Sequence, residues 1–273
     1  MKFIRIYLII IIVFTCCSKS PPPKQSFKLS PDGTIKSLIN PRGSTVKERI
    51  LLPDGYERVG VNKNTFAYYL RTLPLKVHGS KVRYYNGLIK ESKGVYIAVV
   101  DKHIGKKDLH QCADAIMLLR GEYFYKRKEY KKIHFNFLND GKPRYYVNYA
   151  DKSYSRKSFW KYMEYIFASA NTRSLKKELK KVDFQDIKIG DVFIQSGVIG
   201  AIGHAIIVID MAKHKITGNK IFLLAQSYMP AQETQILINP LNNNLNPWYS
   251  EKFNKILITP EWVFLKTDLR RFR

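Results

Sequence analysis

The sequence has few cysteines and no recognisable nucleotide-binding motif. Only Cys112 follows the adjacent pair Cys16 and Cys17, so no disulfide can form within the folded part of the chain. Aromatic residues make up 13% of the chain, and the segment 48–273 is long enough to build an ordinary hydrophobic core without a disulfide. No Gly-rich phosphate loop of the Walker or dinucleotide type is visible.

Long apolar runs are also scarce. The run at residues 6–14 is shorter than the roughly 20 apolar residues that a permanent membrane-spanning helix needs. It follows Lys2 and Arg5, and a basic start before a short apolar run predicts a secretory signal that is removed.

The residues that close this run resemble the bacterial lipobox, whose cysteine becomes the lipidated first residue of the mature protein. Val13 stands three places before Cys16, and Phe14 stands three places before Cys17, so both cysteines are candidates. We therefore expect an exported lipoprotein, held at the membrane of the cell envelope by acyl chains such as palmitate. The alternative is an uncleaved anchor with two incidental cysteines.

The chain divides into three parts by composition. Residues 1–17 are the expected signal peptide and lipobox, and residues 18–47 are a polar, proline-rich segment expected to be a flexible linker. Residues 48–273 have no later break in composition and are expected to form a single domain.

Acidic residues are few. There are 22 against 47 basic residues, a formal net charge of +25, which favours association with anionic material such as membrane lipid, peptidoglycan or another anionic envelope polymer. Nucleic acid is not an expected partner, because an exported chain does not normally meet it and no recognition motif is present. A compositional bias toward Lys, Ile, Asn and Tyr is an alternative origin of the charge.

The periodicity of apolar residues predicts helices in the first part of the domain and strands in the second. Asn64 or Thr65 can cap a short helix, and Asp108, with Gln111 three places on, can cap a long one. Further helices are expected at 158–170 and 174–181, and strands at 95–100, 191–195, 204–211, 220–226 and 234–238. This order predicts an α+β fold with N-terminal helices packed on a C-terminal antiparallel sheet.

A catalytic thiol is the main chemical hypothesis. Cys112 falls in the first turn of the predicted long helix, where free amides and the helix dipole favour a thiolate. His204 follows Gly203 at the start of a predicted strand, where its ring could meet that thiol as a base. The alternative is a buried, inert cysteine on the apolar face with Leu109 and Ile116.

A third polar residue is expected to orient the histidine ring. Gln226 closes an apolar strand and is preferred, while Asp210 competes for the same role. His103 and His110 are secondary candidates for the base.

No metal or cofactor is expected. Asp108, His110 and Cys112 alternate like zinc ligands, but side chains at such spacing do not all share one helix face.

Several segments together resemble the bacterial domain-of-unknown-function family 4846. They are Asp108-Leu109-His110-Gln111-Cys112-Ala113-Asp114-Ala115, Gly190-Asp191-Val192-Phe193-Ile194, Gly203-His204-Ala205, Leu223-Leu224-Ala225-Gln226-Ser227-Tyr228-Met229-Pro230-Ala231-Gln232, Asn246-Pro247-Trp248-Tyr249 and Thr259-Pro260-Glu261-Trp262. The resemblance runs from about Leu52 to Phe272 and implies lipoprotein character, since the family has no established activity.

A more distant resemblance joins the cysteine that opens a helix, the Gly-Asp strand and the Gly-His strand. This order is similar to the papain-like cell-wall amidases and peptidases of the NlpC/P60 type. The resemblance implies that Cys112 is the nucleophile, His204 its base and Gln226 the residue that orients the ring. The usual Asp-Cys-Ser-Gly is replaced by Gln111-Cys112-Ala113-Asp114, and the interval from cysteine to histidine is longer.

Two functions follow as hypotheses. The first is a basic envelope lipoprotein that binds an anionic component of the envelope. The second is a papain-like thiol hydrolase, an amidase or peptidase, that cleaves an amide of peptidoglycan peptide or a related substrate.

Overall fold

A computed structural model describes residues 37–197 and 201–273. Residues Ser37–Arg273 form one compact unit. The predicted signal segment 1–17, with Cys16 and Cys17, and most of the predicted linker 18–47 lie outside the described residues. Within the described part, no helix combines the length and the apolar character needed to cross a bilayer.

Six α-helices occur in the described ranges. They are α1 (Val46–Arg49), α2 (Phe66–Arg71), α3 (Cys112–Lys126), α4 (Tyr146–Tyr149), α5 (Arg156–Phe167) and α6 (Thr172–Glu178). Helix α2 begins after Thr65, whose side chain accepts a hydrogen bond from the backbone N–H of Tyr68. Thr65 is one of the two residues predicted to cap this helix. Helices α5 and α6 begin earlier than predicted because Ser155 and Asn171 cap them.

Thirteen strands are described, most of them short. They are β1 (Tyr56–Arg58), β2 (Tyr96–Val99), β3 (His134–Asn136), β4 (Pro143–Tyr145), β5 (Leu179–Lys181), β6 (Val192–Gln195), β7 (His204–His214), β8 (Lys220–Gln226), β9 (Gln235–Leu237), β10 (Tyr249–Ser250), β11 (Ile256–Ile258), β12 (Val263–Leu265) and β13 (Leu269–Phe272). The combination of helices with an antiparallel sheet confirms the predicted α+β class.

One large antiparallel sheet organises the domain. Its order is β2-β9-β8-β7-β6-β13-β5, with β1 paired to β7 and β10 paired to β8. The prediction that helices come first and strands afterwards was therefore too simple. Strand β2 joins the large sheet by pairing with β9, and residues 179–181, predicted as helix, form β5 and pair with β13. Local periodicity missed these pairings because they join segments that are far apart in sequence.

The sheet has an apolar core on each face. On one face Ile207 and Leu223 pack with α3 and α5, through residues such as Ile116 and Phe159. On the other face Val208 and its neighbours pack against the hairpin of β11 and β12. Since side chains alternate along a strand, consecutive residues of β7 face these two different cores.

Candidate active site

Helix α3 begins at Cys112. The backbone N–H of Gln111, the N-cap residue, donates to Oδ2 of Asp114 at 3.0 Å. The predicted cap at Asp108 is wrong, because Oδ1 of Asp108 instead accepts from the backbone N–H of Ala231 at 2.7 Å. Cys112 is thus the first residue of the helix, where backbone amides lack helical acceptors.

The thiol borders a cavity. Cys112 is 7% exposed and contributes to the wall of a cavity of about 430 Å³, together with Asn171, Arg173, Gly203 and Met229. The sulfur is therefore largely covered but adjoins an open space. This space is the route by which a ligand could reach it.

The surroundings of Cys112 keep it protonated. Burial, followed by the nearby carboxyl of Asp114, raises the pKa of the thiol to about 12. The backbone N–H groups of Ala205, Ala113 and Cys112 itself act in the opposite direction. These amides are the groups that would stabilise a thiolate if one formed.

His204 is held by a chain of polar contacts. Its Nε2 lies 2.9 Å from Oε1 of Gln226, and Nε2 of Gln226 donates to Oε2 of Glu261 at 2.6 Å. The other oxygen of Glu261 pairs with Nζ of Lys90 at 2.6 Å. Because the amide nitrogen of Gln226 donates to Glu261, its oxygen accepts from His204, which assigns the proton of the neutral ring to Nε2. Nδ1 is then the nitrogen free to accept a proton.

The imidazole is neutral at pH 7. Burial is the main reason that the pKa of His204 falls to about 4. The hydrogen bond with Gln226 raises the pKa, while the charge of Lys90 lowers it. A neutral ring with a free Nδ1 can act as a proton acceptor.

Aromatic rings surround the histidine. The ring centroid of His204 lies 4.8 Å from that of Tyr228, 5.2 Å from that of Trp262 and 5.9 Å from that of Phe264. Nε1 of Trp262 donates to Oε1 of Gln195 at 3.0 Å, which fixes the indole. The rings limit the access of water to the hydrogen bond between His204 and Gln226.

Cys112 and His204 both lie near the start of β7, but their side chains belong to different faces of the sheet. Ala205 belongs to the core that contains α3, so His204, one residue earlier, points toward the other side of the sheet. The sulfur of Cys112 lies near the backbone N–H of Ala205. Burial, then the charge of Glu261 and last the thiolate form of Cys112 raise the pKa of Tyr228, whose ring contacts that of His204. Among the described residues, no hydrogen bond joins Cys112 to the imidazole.

The competing candidates lie elsewhere. Asp210 accepts from Nε of Arg58 at 2.8 Å and from Nε of Arg71 at 2.6 Å, so its carboxylate is occupied by two guanidinium groups. His110 is buried with its Nδ1 3.1 Å from the carbonyl oxygen of Gln232. His103 is exposed and makes an edge-to-face contact with Trp160, with ring centroids 4.5 Å apart.

The analysis of the sequence missed the outer part of this arrangement. Glu261 and Trp262 were noted in the sequence only as part of a segment that resembles the family, and no sequence pattern pointed to Lys90. Their positions depend on long-range contacts, since Lys90 is 171 residues from Glu261. In the described ranges, no group of three His, Cys, Asp or Glu side chains is arranged to hold a metal ion.

Comparison with known proteins identifies the domain. A family described as domain of unknown function (4846) matches residues 46–271. Neither the curated proteins nor the solved structures gave a match. The resemblance noted in the sequence is therefore confirmed, and the chain belongs to the domain-of-unknown-function family 4846.

Proposed function

We propose that this domain is a thiol-dependent amide hydrolase of the cell envelope, with a site related to the papain-like NlpC/P60 type. Cys112 is the nucleophile, His204 is its base, and Gln226 holds the imidazole in one tautomer. The observation that carries the proposal is the buried chain of polar contacts that runs from Lys90 through Glu261 and Gln226 to His204.

Burying this series of polar contacts costs free energy, which a purely structural element would not need. His204 and Gln226 are 2% and 1% exposed, and burying polar groups is unfavourable unless each finds a partner. The contacts leave one polar atom of the ring, Nδ1, without a role in the chain. A buried histidine with a perturbed pKa, such as His204, is typical of functional sites.

The proposed reaction begins at the thiol. The sulfur of Cys112 attacks the carbonyl carbon of an amide while Nδ1 of His204 accepts the thiol proton. The proton passes to the leaving nitrogen, the C–N bond breaks, and an amine and a thioester result. Water then attacks the thioester, with His204 again accepting a proton, and releases the carboxylate and the free thiol.

The resting pair is neutral. The pKa of Cys112 near 12 and that of His204 near 4 both favour the uncharged forms at pH 7. Because the two side chains belong to different faces of the sheet, the proposed contact requires the start of β7 to rearrange. Once the groups are adjacent, an opposite charge lowers the pKa of the thiol and raises that of the imidazole. Proton transfer is thus coupled to contact, and the resting thiol is expected to react slowly.

The substrate class is an amide of peptidoglycan peptide or a related envelope molecule. The lipobox-like sequence at Cys16 or Cys17 would place the domain at the envelope membrane through an N-terminal lipid. Arg173 on the cavity wall supplies a cation suited to a peptide carboxylate.

The test is hydrolysis of purified peptidoglycan peptides by the full chain in nonionic detergent. Newly released amino groups are measured by derivatisation and mass spectrometry. We expect release by the wild type and a loss of about 100-fold or more in Cys112→Ala and in His204→Ala. His103→Ala, at an exposed ring away from the site, is the matched control and should retain full activity. Absence of release by the wild type, or equal release by Cys112→Ala, would contradict the proposal.

A second candidate function is binding of an anionic envelope component. The net charge of +25 favours it, and so does a groove rich in Arg and Lys at the far end of α3. This function does not require a reactive thiol and can coexist with the first.

A further inference from the structure

Arg120 occupies an unusual position on α3. Its guanidinium carbon lies 4.5 Å from the ring centroid of Phe124, 4.9 Å from that of Phe272, 5.0 Å from that of Phe66 and 5.8 Å from that of Tyr123. The rings hold the guanidinium through cation–π contacts and restrict its position. The cation is therefore preorganised before any ligand binds.

The N–H groups of the same guanidinium have no acceptor among residues 37–197 and 201–273. In the part of the chain that the structure describes, Arg120 makes neither a side-chain hydrogen bond nor an ion pair within its own fold. Burial lowers its pKa, although the group stays charged at pH 7. A guanidinium with five donors that is partly withdrawn from water without an acceptor is suited to an external anion.

The groove around Arg120 is large and basic. It has a volume of about 940 Å³, and its walls carry six cationic residues, Arg120, Arg127, Lys131, Lys132, Lys177 and Arg273, against two acidic ones, Glu129 and Glu178. Glu129 is already paired, at 2.6 Å with Nε of Arg127 and at 2.7 Å with Nζ of Lys132. Its charge acts on Arg120 from a distance, but it makes no hydrogen bond or ion pair with that guanidinium among the described residues.

The second acid is also occupied. Oε1 of Glu178 accepts from the backbone N–H of Asn136 at 2.5 Å. Burial raises the pKa of Glu178 to about 7, so much of it is uncharged at neutral pH. His134 also borders the groove, and its Nδ1 is buried with no hydrogen-bond partner in the described part of the chain. The groove thus retains positive charge and unused hydrogen-bonding capacity.

We propose that this groove binds a phosphate group carried by an anionic envelope molecule, with Arg120 as the central contact and Lys131 and Lys177 at the rim. The inference rests on the second candidate function and names its site and ligand chemistry. Arg120 follows Cys112 by eight residues, about 12 Å of helix rise, so the groove is separate from the thiol site.

Phosphate fits the groove better than a single carboxylate. The planar guanidinium can bind two phosphate oxygens at once, and lysine ammonium groups can reach the others as point charges. Lys131 and Lys177 are exposed, and neither has an ion pair among the described residues, so both remain able to turn toward a ligand.

The experiment is calorimetric titration of the full chain in nonionic detergent. One probe is glycerol phosphate, and a second is dihexanoyl phosphatidylglycerol below its micelle concentration, which separates a soluble phosphate ligand from a lipid headgroup. Polyglutamate serves as an anion without phosphate. We expect at least one phosphate probe to bind, and Arg120→Gln to weaken that binding about tenfold or more.

Two double variants guard against a folding defect in Arg120→Gln. Lys131→Gln/Lys177→Gln removes only exposed rim charges and should weaken phosphate binding about threefold. Lys157→Gln/Lys161→Gln, on the exposed side of α5, removes the same charge elsewhere and should have little effect.

The outcomes separate the site from the general function. Equal losses in the two double variants, or no loss in Arg120→Gln, would overturn the phosphate site. If the wild type still bound polyglutamate, electrostatic binding would survive that result. If the wild type bound no probe, both the site and the second candidate function would be rejected.

Discussion

Nε2 of His204, at the start of β7, lies 2.9 Å from Oε1 of Gln226, at the end of the neighbouring strand β8. The antiparallel pairing of the two strands brings the beginning of one next to the end of the other. Two polar side chains that are 22 residues apart thereby share one buried hydrogen bond.

Replacing Gln226 with leucine should change both the ring's basicity and its orientation. The hydrogen bond from His204 to Gln226 raises the pKa of the imidazole, so Gln226→Leu should lower that pKa below its value of about 4 in the wild type. NMR titration of the imidazole measures this shift, and peptide hydrolysis should fall about 10-fold to 100-fold with it. The exposed Gln185→Leu is the control, and an unchanged titration of His204 would contradict the assigned contact.

Asp210 should matter for stability and not for the ring of His204. Asp210→Asn leaves the guanidinium groups of Arg58 and Arg71 without their carboxylate, which should cost about 3 kcal/mol of unfolding free energy in urea denaturation. Asp140→Asn removes an exposed pair with Arg144 and should cost much less. A shifted titration of His204 in Asp210→Asn would revive Asp210 as the orienting residue.

Replacing Gly203 with alanine should destabilise the fold. A Cβ atom at this position would lie 2.4 Å from Oγ1 of Thr172 and 2.5 Å from the carbonyl oxygen of Gln195. Because a backbone oxygen cannot rotate away, Gly203→Ala should displace the start of β7, cost about 1–3 kcal/mol of stability and reduce hydrolysis. Gly60→Ala, where a Cβ would meet nothing within 4 Å, is the control. Equal thermal stability of the two variants would show that the strand start can adjust freely.

Glu178 should make stability fall at alkaline pH. Burial raises its pKa in the folded state to about 7 from an ordinary value of 4.5, so the folded chain holds the proton more tightly than the unfolded chain. The resulting stability is complete below pH 4.5 and is lost as the pH rises through 7. Glu178→Gln keeps an acceptor for Asn136 and should therefore be more stable than the wild type by about 2 kcal/mol at pH 8, with less advantage at pH 4.

Urea denaturation at the two pH values measures this difference. The exposed Glu91→Gln is the matched control and should show no such dependence. A wild type that is the more stable protein at pH 8 would mean that the Glu178 carboxylate is not penalised by burial.

Local patterns in the sequence were sufficient for much of the fold. The alternation of apolar residues and the flanking glycine placed His204 at the first position of a strand, and Gln226 at the end of the next, as the structure has them. Thr65 was among the predicted helix caps because capping depends on residues only a few places apart. The family assignment also came from short, ordered motifs.

Other features were decided only by the tertiary structure. The N-cap of α3 is Gln111 and not the predicted Asp108, whose carboxylate instead accepts from the backbone N–H of Ala231. Local sequence rules cannot predict a contact between residues so far apart. Lys90 and Glu261 meet through the folding of the chain over 171 residues. Tertiary contacts of this kind routinely override local propensity.

The sequence by itself determined the basic composition, the mixed α+β class, the family and the identities of Cys112, His204 and Gln226 as candidates. Only the tertiary structure decided which polar group faces the imidazole. It also decided that Arg120 lies between rings of α2, α3 and β13 with no hydrogen-bond acceptor among the described residues. The physical reason is the separation along the sequence over which each kind of interaction acts. Periodicity and capping act over a few residues, whereas burial and partner choice depend on which distant segments pack together.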